Sequence, residues 1–162
     1  MGQTAAEEDV VQRQVELFIA RFAPEIAERA RDCRAAVRRR LPTANELVYD
    51  NYNALAIGYA ADERLSGVIF SLAIYPRNVL LYFARGKALP DPRGLLRGEG
   101  KQGGYVCLSG AETLDDPGVS ALLTAALAAA TPPLPQSGGG RTIVKSISAK
   151  QRPRRPIIQE PK

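Results

Sequence analysis

Apolar residues recur at helical spacing over the first quarter of the chain. From Val11 to Phe22 they fall at intervals of four, three and four positions, which places them on one stripe of a helix. The same spacing continues from Ile26 to Leu41. Pro24 separates the two stripes, and proline is tolerated in the first turn of a new helix but costly inside an old one. The pattern predicts either two amphipathic helices or one kinked helix.

The pattern then changes to short apolar runs separated by turns. Thr43 and Glu46 match the Thr-x-x-Glu capping box, which predicts a short helical turn. Strands are predicted over about 52–60, 67–75 and 78–85 because these runs are short, apolar and rich in strand-forming residues. The last two flank a Pro-Arg pair that suits a tight turn.

Alternation along this hairpin predicts which face of the sheet is buried. One face is wholly apolar and must meet the helices, and a slip of the register by one residue would mix the two faces. The other face carries Ser71, Tyr75 and Tyr82, and we expect it to be a thinly covered surface or the wall of a shallow groove. The apolar face is predicted to contain Phe70, Leu72, Ile74, Val79, Leu81 and Phe83.

The rest of the chain predicts one more strand, one more helix and a tail. A loop rich in glycine and proline leads into a strand over 105–109, and an alanine-rich helix follows over 117–130. These elements complete a single domain over residues 1–134. Beyond it the sequence predicts a Gly/Ser linker over 135–140, an edge strand over 141–148 and a disordered basic tail over 149–162.

Together these elements predict an α+β fold. We expect an antiparallel sheet of about four to five strands, with the N-terminal helices and the C-terminal helix packed against it. A chain of 162 residues is long enough to bury a core without disulfides. Its two cysteines form no disulfide or zinc framework, and no run reaches the ~20 apolar residues of a membrane span. We therefore expect a cytoplasmic protein that does not bind membranes.

The chain has no histidine. This excludes Ser-His and Cys-His nucleophile pairs, a histidine base and histidine metal ligands. No other nucleophile-base pair and no spaced set of metal ligands can be assembled, so the sequence favours a non-enzymatic binding protein with no evident cofactor. It identifies no metal ligands.

Positive charge is concentrated at the C-terminal end. Residues 141–162 carry seven basic residues and one acidic residue, while the net charge of the whole chain is only +5. Such a segment is typical either of an arm that contacts nucleic acid without reading its sequence or of a solubilising tail. The candidates for nucleic-acid contact are Lys150, Arg152, Arg154 and Arg155.

The loop before the fourth predicted strand contains the pattern Gly98-x-Gly100-x-x-Gly103. A dinucleotide fingerprint should open a helix, whereas here a strand follows, so the glycines indicate a loop. Basic side chains among exposed backbone amides could still bind an anion. The candidate ligand-binding residues come from this loop, from the predicted open face and from the segment before it: Tyr49, Asp50, Asn51, Tyr52, Ser71, Tyr75, Tyr82, Arg85, Arg93 and Lys101.

Several of these segments, in this order, resemble the YdhG-like domain of unknown function, a bacterial family. The most specific part is Tyr75-Pro76, Gly86, the run Leu89 to Pro92, Leu95-Leu96 and Gly98-x-Gly100-Lys101, and the run 148–156 is similar to one subgroup. The resemblance implies an antiparallel sheet with helices over one face. Some members are described as frataxin-like iron chaperones, which implies acidic ligands, a cytoplasmic setting and iron as the bound metal.

Overall fold

A computed structural model describes residues 4–156. It begins with two separate helices, which decides between the two alternatives that the sequence left open. Thr4 caps the first helix by accepting a hydrogen bond from the backbone N–H of Glu7 at 3.2 Å. Pro24 opens the second, where its missing N–H costs nothing. The helices span Ala5–Ala20 (α1), Pro24–Arg40 (α2) and Pro117–Ala129 (α3).

Six strands form one open sheet. They are Asn45–Asp50 (β1), Leu55–Ala60 (β2), Val68–Ile74 (β3), Val79–Phe83 (β4), Gly104–Cys107 (β5) and Thr142–Ile147 (β6). Their order across the sheet is β5-β4-β3-β2-β1-β6. All neighbours are antiparallel except β1 and β6, which are parallel. The α+β class is confirmed, but the sheet has more strands than the four to five predicted.

The additional strand is β1, in a segment where the sequence predicted a helical turn. That prediction is wrong because Glu46 lies in the strand and binds Arg34 with its carboxylate, so it does not cap a helix. The strand predicted over 52–60 begins later, at Leu55. The backbone N–H of Asn51 donates to the carbonyl of Ala54 at 3.0 Å, which closes the turn between β1 and β2.

The core lies between the three helices and one face of the sheet, and this is the apolar face that alternation predicted. Leu72 lies opposite Leu81, and Ile74 lies opposite Val79, so the predicted register is confirmed. The six predicted core residues are all buried. Cys33 of α2 is also fully buried, and burial raises the pKa of its thiol to about 11.

The C-terminal segment is ordered against this domain over its described part. β6 lies at the sheet edge beside β1, and residues 149–156 continue along the surface. The backbone N–H of Arg152 donates to the carbonyl of Tyr52 at 2.8 Å. The predicted disorder therefore does not describe 149–156, and the remainder of the predicted tail, 157–162, lies outside the described residues.

No helix within residues 4–156 is both long enough and apolar enough to span a membrane.

Candidate binding site on the open sheet face

The face of the sheet opposite the helices carries tyrosines on neighbouring strands. Ser71 of β3 pairs with Tyr82 of β4, which pairs in turn with Tyr105 of β5. Paired residues point to the same face, so the Cβ atoms of Tyr82 and Tyr105 are expected to lie about 4.5–5.5 Å apart. The Tyr82 side chain is 40% exposed. Tyr75 follows β3 on the same face, where its backbone N–H donates to the carbonyl of Asn78 at 2.8 Å.

These tyrosines line a depression that we call the tyrosine groove, with a volume of about 750 Å³. Its floor is formed by small or apolar residues of the central strands, and its ends by the β1–β2 turn and the start of the C-terminal segment. The lining residues are Asn51, Tyr52, Asn53, Ala54, Ala56, Ser71, Ala73, Tyr75, Leu80, Tyr82, Tyr105 and Ser148.

A second depression, which we call the arginine pocket, adjoins the first and has a volume of about 780 Å³. The two share the lining residues Asn53, Tyr75 and Leu80, so they lie side by side. The described residues that line either depression include arginines but no carboxylate, imidazole or thiol. The arginine pocket is lined by Asn53, Tyr75, Pro76, Arg77, Asn78, Leu80, Arg152, Pro153, Arg155 and Pro156.

Arg154 fixes the segment that forms one wall of this pocket. Its Nη2 donates to Asp50 Oδ1 at 2.8 Å and to the carbonyl of Asn51 at 2.6 Å. The side chains of Arg154 and Asp50 are both 2% exposed. The guanidinium also lies over the ring of Phe22, 5.7 Å from its centroid. The sequence-based assignment of Arg154 to nucleic-acid contact is therefore wrong, because a buried side chain cannot reach a phosphate.

The other basic residues of the segment remain at the surface. Arg152 and Arg155 line the arginine pocket, and the Arg152 guanidinium lies 6.0 Å from the ring centroid of Tyr52. Arg155 Nε donates to the carbonyl of Arg21 at 3.2 Å. Lys150 is exposed and is absent from the described lining of either depression. Three of the four predicted contact residues are thus accessible, and two of them belong to the pocket.

The structure brings together five of the predicted ligand-binding residues and separates the other five. Tyr49 is on the open face between Ala56 and Ser146, outside the groove, and partial burial raises its pKa. Asp50 is on the helix side. The five residues that line the tyrosine groove are Asn51, Tyr52, Ser71, Tyr75 and Tyr82.

The three basic candidates near the glycine-rich loop do not converge on the groove. Arg93 Nη1 donates to Asp116 Oδ2 at 3.0 Å, at the start of α3. Arg85 lines a separate small cleft beside α3, and Lys101 is exposed at the loop tip. None of the three is among the described residues lining either depression.

The loop itself packs closely against the tyrosine groove. A Cβ atom at Gly103 would collide with the Tyr82 hydroxyl oxygen, so a larger residue here would force the Tyr82 side chain to move. Arg97 and Tyr105 exchange two backbone hydrogen bonds, of 2.9 and 3.0 Å, which fold the loop back along β5. The glycine at position 103 thus serves close packing beside a groove tyrosine.

Sequence reasoning missed two contributors, Tyr105 and Arg77. The sequence placed both residues in predicted elements: Tyr105 begins the fourth predicted strand, and Arg77 follows Pro76 in the hairpin turn. Their membership of the site depends on which strands pair across the long loop and on where the C-terminal segment lies. Those are tertiary contacts that no local pattern encodes.

A second polar cluster lies on the helix side of the sheet, around Glu46. Arg34 donates to both carboxylate oxygens, at 2.8 and 3.0 Å. The hydroxyls of Tyr59 and Thr142 each donate to Glu46 at 2.8 Å. Burial alone would raise the pKa of Glu46, but Arg34, Thr142 and the nearby Arg38 outweigh it and hold that pKa below its ordinary value. Burial and the adjacent carboxylate raise the pKa of Tyr59 well above normal.

The lowered pKa of Glu46 predicts acid sensitivity. Because the folded-state pKa lies below the unfolded value of about 4.3, the stabilisation is present at higher pH and is lost as pH falls through the folded pKa. Urea unfolding at several pH values should show stability falling below about pH 4.5. Glu46→Gln should be less stable than wild type at neutral pH but should show a shallower decline in acid. Parallel curves for the two proteins would contradict this assignment.

Neither the Glu46 cluster nor the open face assembles a set of metal ligands from the described residues. Residues 4–156 contain no group of three or more carboxylate, histidine or cysteine side chains that could hold a metal ion. The two buried carboxylates, Glu46 and Asp50, are each already paired with a buried arginine. The described residues therefore do not fit the iron site that the family resemblance implies.

Comparison of the chain with family models, curated proteins and solved structures found no match.

Proposed function

We propose that this protein is a non-enzymatic binding protein and that its site is the tyrosine groove with the adjoining arginine pocket. The observation that supports this most is that an aromatic surface adjoins, at Tyr75, a pocket lined by three arginines and by no acidic residue among its described lining. A ligand that fits both parts carries a flat or apolar ring and an anionic group. The rings would contact the tyrosines, and the guanidinium groups would bind the anion.

The positive charge of the arginine pocket favours a ligand with an anionic group over a metal cation. Arg77, Arg152 and Arg155 line the pocket without an acidic partner among its described lining residues. A cation would be repelled there, whereas a phosphate or carboxylate would gain charge-assisted hydrogen bonds. The described lining offers hydroxyls, amides and guanidinium groups, which suit it to holding a ligand, and it includes no carboxylate or imidazole, the groups that usually act as general base.

Membership of the YdhG-like family is part of the proposal. The motif that carries the resemblance has a structural explanation here: the carboxylate of Asp91 accepts hydrogen bonds from the backbone N–H groups of Leu95 and Leu96, at 2.8 and 2.9 Å. Both leucines pack against the core, so the motif anchors the loop. We also propose a cytoplasmic location, since both cysteines are free and Cys107 is exposed, which suits a reducing compartment.

Titration with phenyl phosphate and with inorganic phosphate tests the proposed site. Phenyl phosphate should shift the amide resonances of Tyr75, Tyr82 and Arg152 and quench tyrosine fluorescence, which is readable because the chain has no tryptophan. Inorganic phosphate should bind more weakly because it lacks the ring. The double variant Arg77→Gln/Arg152→Gln should weaken phenyl phosphate binding by about tenfold or more, as two charge-assisted hydrogen-bond donors are lost.

Arg13→Gln is the matched control, because Arg13 is an exposed arginine of α1 on the helix side of the sheet. It should bind phenyl phosphate like wild type. Absence of any shift at these residues, or equal weakening by Arg13→Gln, would overturn the proposed site.

A further inference from the structure

We infer that the ligand of this site is a single-stranded nucleic acid, with its bases on the tyrosine groove and its phosphates in the arginine pocket. This rests on the proposed function and specifies its ligand class. It differs from a contact made by a free basic tail, because the described part of that segment is fixed to the domain through Arg154 and Asp50.

The extent of the surface favours a polymer. Tyr82 pairs with Ser71, and Tyr75 follows Ser71 by four positions, so the tyrosines are spread over about 13 Å along the strand direction. The arginine pocket extends the surface further, beyond Tyr75. A small aromatic anion such as phenyl phosphate could occupy only part of this length, whereas a chain of nucleotides could contact both depressions at once.

The tyrosines supply the contacts that a base needs. Tyr82 and Tyr105 are direct cross-strand neighbours, and Tyr75 lines both depressions. Bases stack on such rings irrespective of sequence, because every base has a π face. In a duplex those faces are covered by neighbouring base pairs, so the arrangement selects single strands.

The arginines supply the phosphate contacts. Three of them line the pocket, and no acidic residue is among its described lining. Arg77 comes from the β3–β4 turn and Arg152 from the C-terminal segment, so the positive charge is held by two separate parts of the fold. Positively charged grooves beside aromatic rings are the usual surface for single strands bound without sequence preference.

Fluorescence anisotropy with labelled dodecamers of deoxythymidine and of uridine tests the inference on the full-length protein. Both single strands should bind, and a duplex of equal length should bind more weakly. The logarithm of the association constant plotted against the logarithm of the salt concentration should have a slope of about −2. Each phosphate contact to a single strand contributes about −0.7, and three arginines line the pocket. Arg77→Gln/Arg152→Gln should make the slope about 1.4 less negative, whereas Arg13→Gln should change it less.

Tyrosine variants separate stacking from simple charge attraction. Tyr75→Ala and Tyr82→Ala should each weaken binding by about 5- to 150-fold at constant salt, as expected for the loss of one base stacked on a ring. Tyr82→Phe keeps the ring and should bind like wild type. A thermal melt of each variant shows whether it is folded before binding is compared.

The outcomes are distinguishable from those for the proposed function. Binding of phenyl phosphate without binding of either dodecamer overturns the nucleic-acid inference and leaves the anion site intact. If neither phenyl phosphate nor either dodecamer binds, the proposed function and the nucleic-acid inference are both overturned. Dodecamer binding that the alanine variants leave unchanged, or equal binding of duplex and single strand, also overturns the inference. Tighter binding of the uridine dodecamer would identify RNA as the ligand, and tighter binding of the deoxythymidine dodecamer would identify DNA. Either result supports the inference.

Discussion

Replacing Arg34 with methionine is expected to lower the free energy of unfolding by about 3–5 kcal/mol, the usual loss when one partner of a buried ion pair is removed. The Glu46 side chain is only 3% exposed, so its charge would remain in the core without its main partner. Arg38 Nε lies 3.6 Å from the same carboxylate and would compensate only in part, because that arginine is half exposed.

Urea unfolding monitored by circular dichroism measures this effect. The control is Arg31→Met, because Arg31 lies on the same helix and pairs with Glu16 at the surface, where side-chain exposures are 40% and 48%. That exposed pair should contribute at most about 1 kcal/mol. The double variant Arg34→Met/Glu46→Gln should recover much of the loss, since it removes the unpaired charge but keeps an acceptor for the Tyr59 and Thr142 hydroxyls. Equal effects of Arg31→Met and Arg34→Met would contradict the predicted importance of burial.

The second large effect is expected at Arg154. Its replacement by methionine should lower the free energy of unfolding by about 3 kcal/mol, at the low end for a buried pair. Gln151 Nε2 also donates to Asp50 Oδ2 at 2.8 Å, and Arg21 lies 3.4 Å away, so the carboxylate keeps two weaker partners. Two Arg154 nitrogens, Nε and Nη1, have no hydrogen-bond partner among the described residues, which further limits the net loss.

Arg152→Met is the matched control, because it makes the same substitution two positions away on an exposed side chain. It should change stability by no more than about 0.5 kcal/mol. If Arg154→Met unfolded at the same urea concentration as Arg152→Met, the C-terminal segment would not be fastened as the structure shows. The charge of this segment is therefore better tested by point substitutions than by deletion, because a deletion would also remove Arg154.

Local periodicity was sufficient to predict the helices, the β3–β4 hairpin and the face on which Phe70 and Leu81 are buried. These features depend on residues within a few positions of one another. Glu46 shows where that reasoning fails: its spacing from Thr43 matches a helix cap, but its partners Arg34 and Thr142 lie 12 and 96 positions away. The buried hydrogen bonds of Glu46 with these distant residues stabilise a strand, although the local Thr-x-x-Glu spacing favours a helical turn.

The candidate site, too, could be predicted only where it depends on strands that are adjacent in the sequence. Alternation identified Ser71, Tyr75 and Tyr82 as one face, because that needs only the pairing of adjacent strands. The position of Tyr105 depends on a pairing that spans the long loop. The arginine pocket could not be predicted, because the charge of the C-terminal segment gave no sign that Arg154 is buried while Arg152 stays exposed.

The parallel pairing of β1 with β6 has a consequence for the order in which the chain becomes complete during synthesis. Thr142 of β6, which pairs with Glu46 of β1, lies 96 residues further along the chain. Until the ribosome has released that segment, one edge of β1 has free backbone N–H and C=O groups, which can pair with a strand of another molecule. A nascent chain therefore has an unpaired strand edge at β1 until β6 has been synthesised and pairs with it.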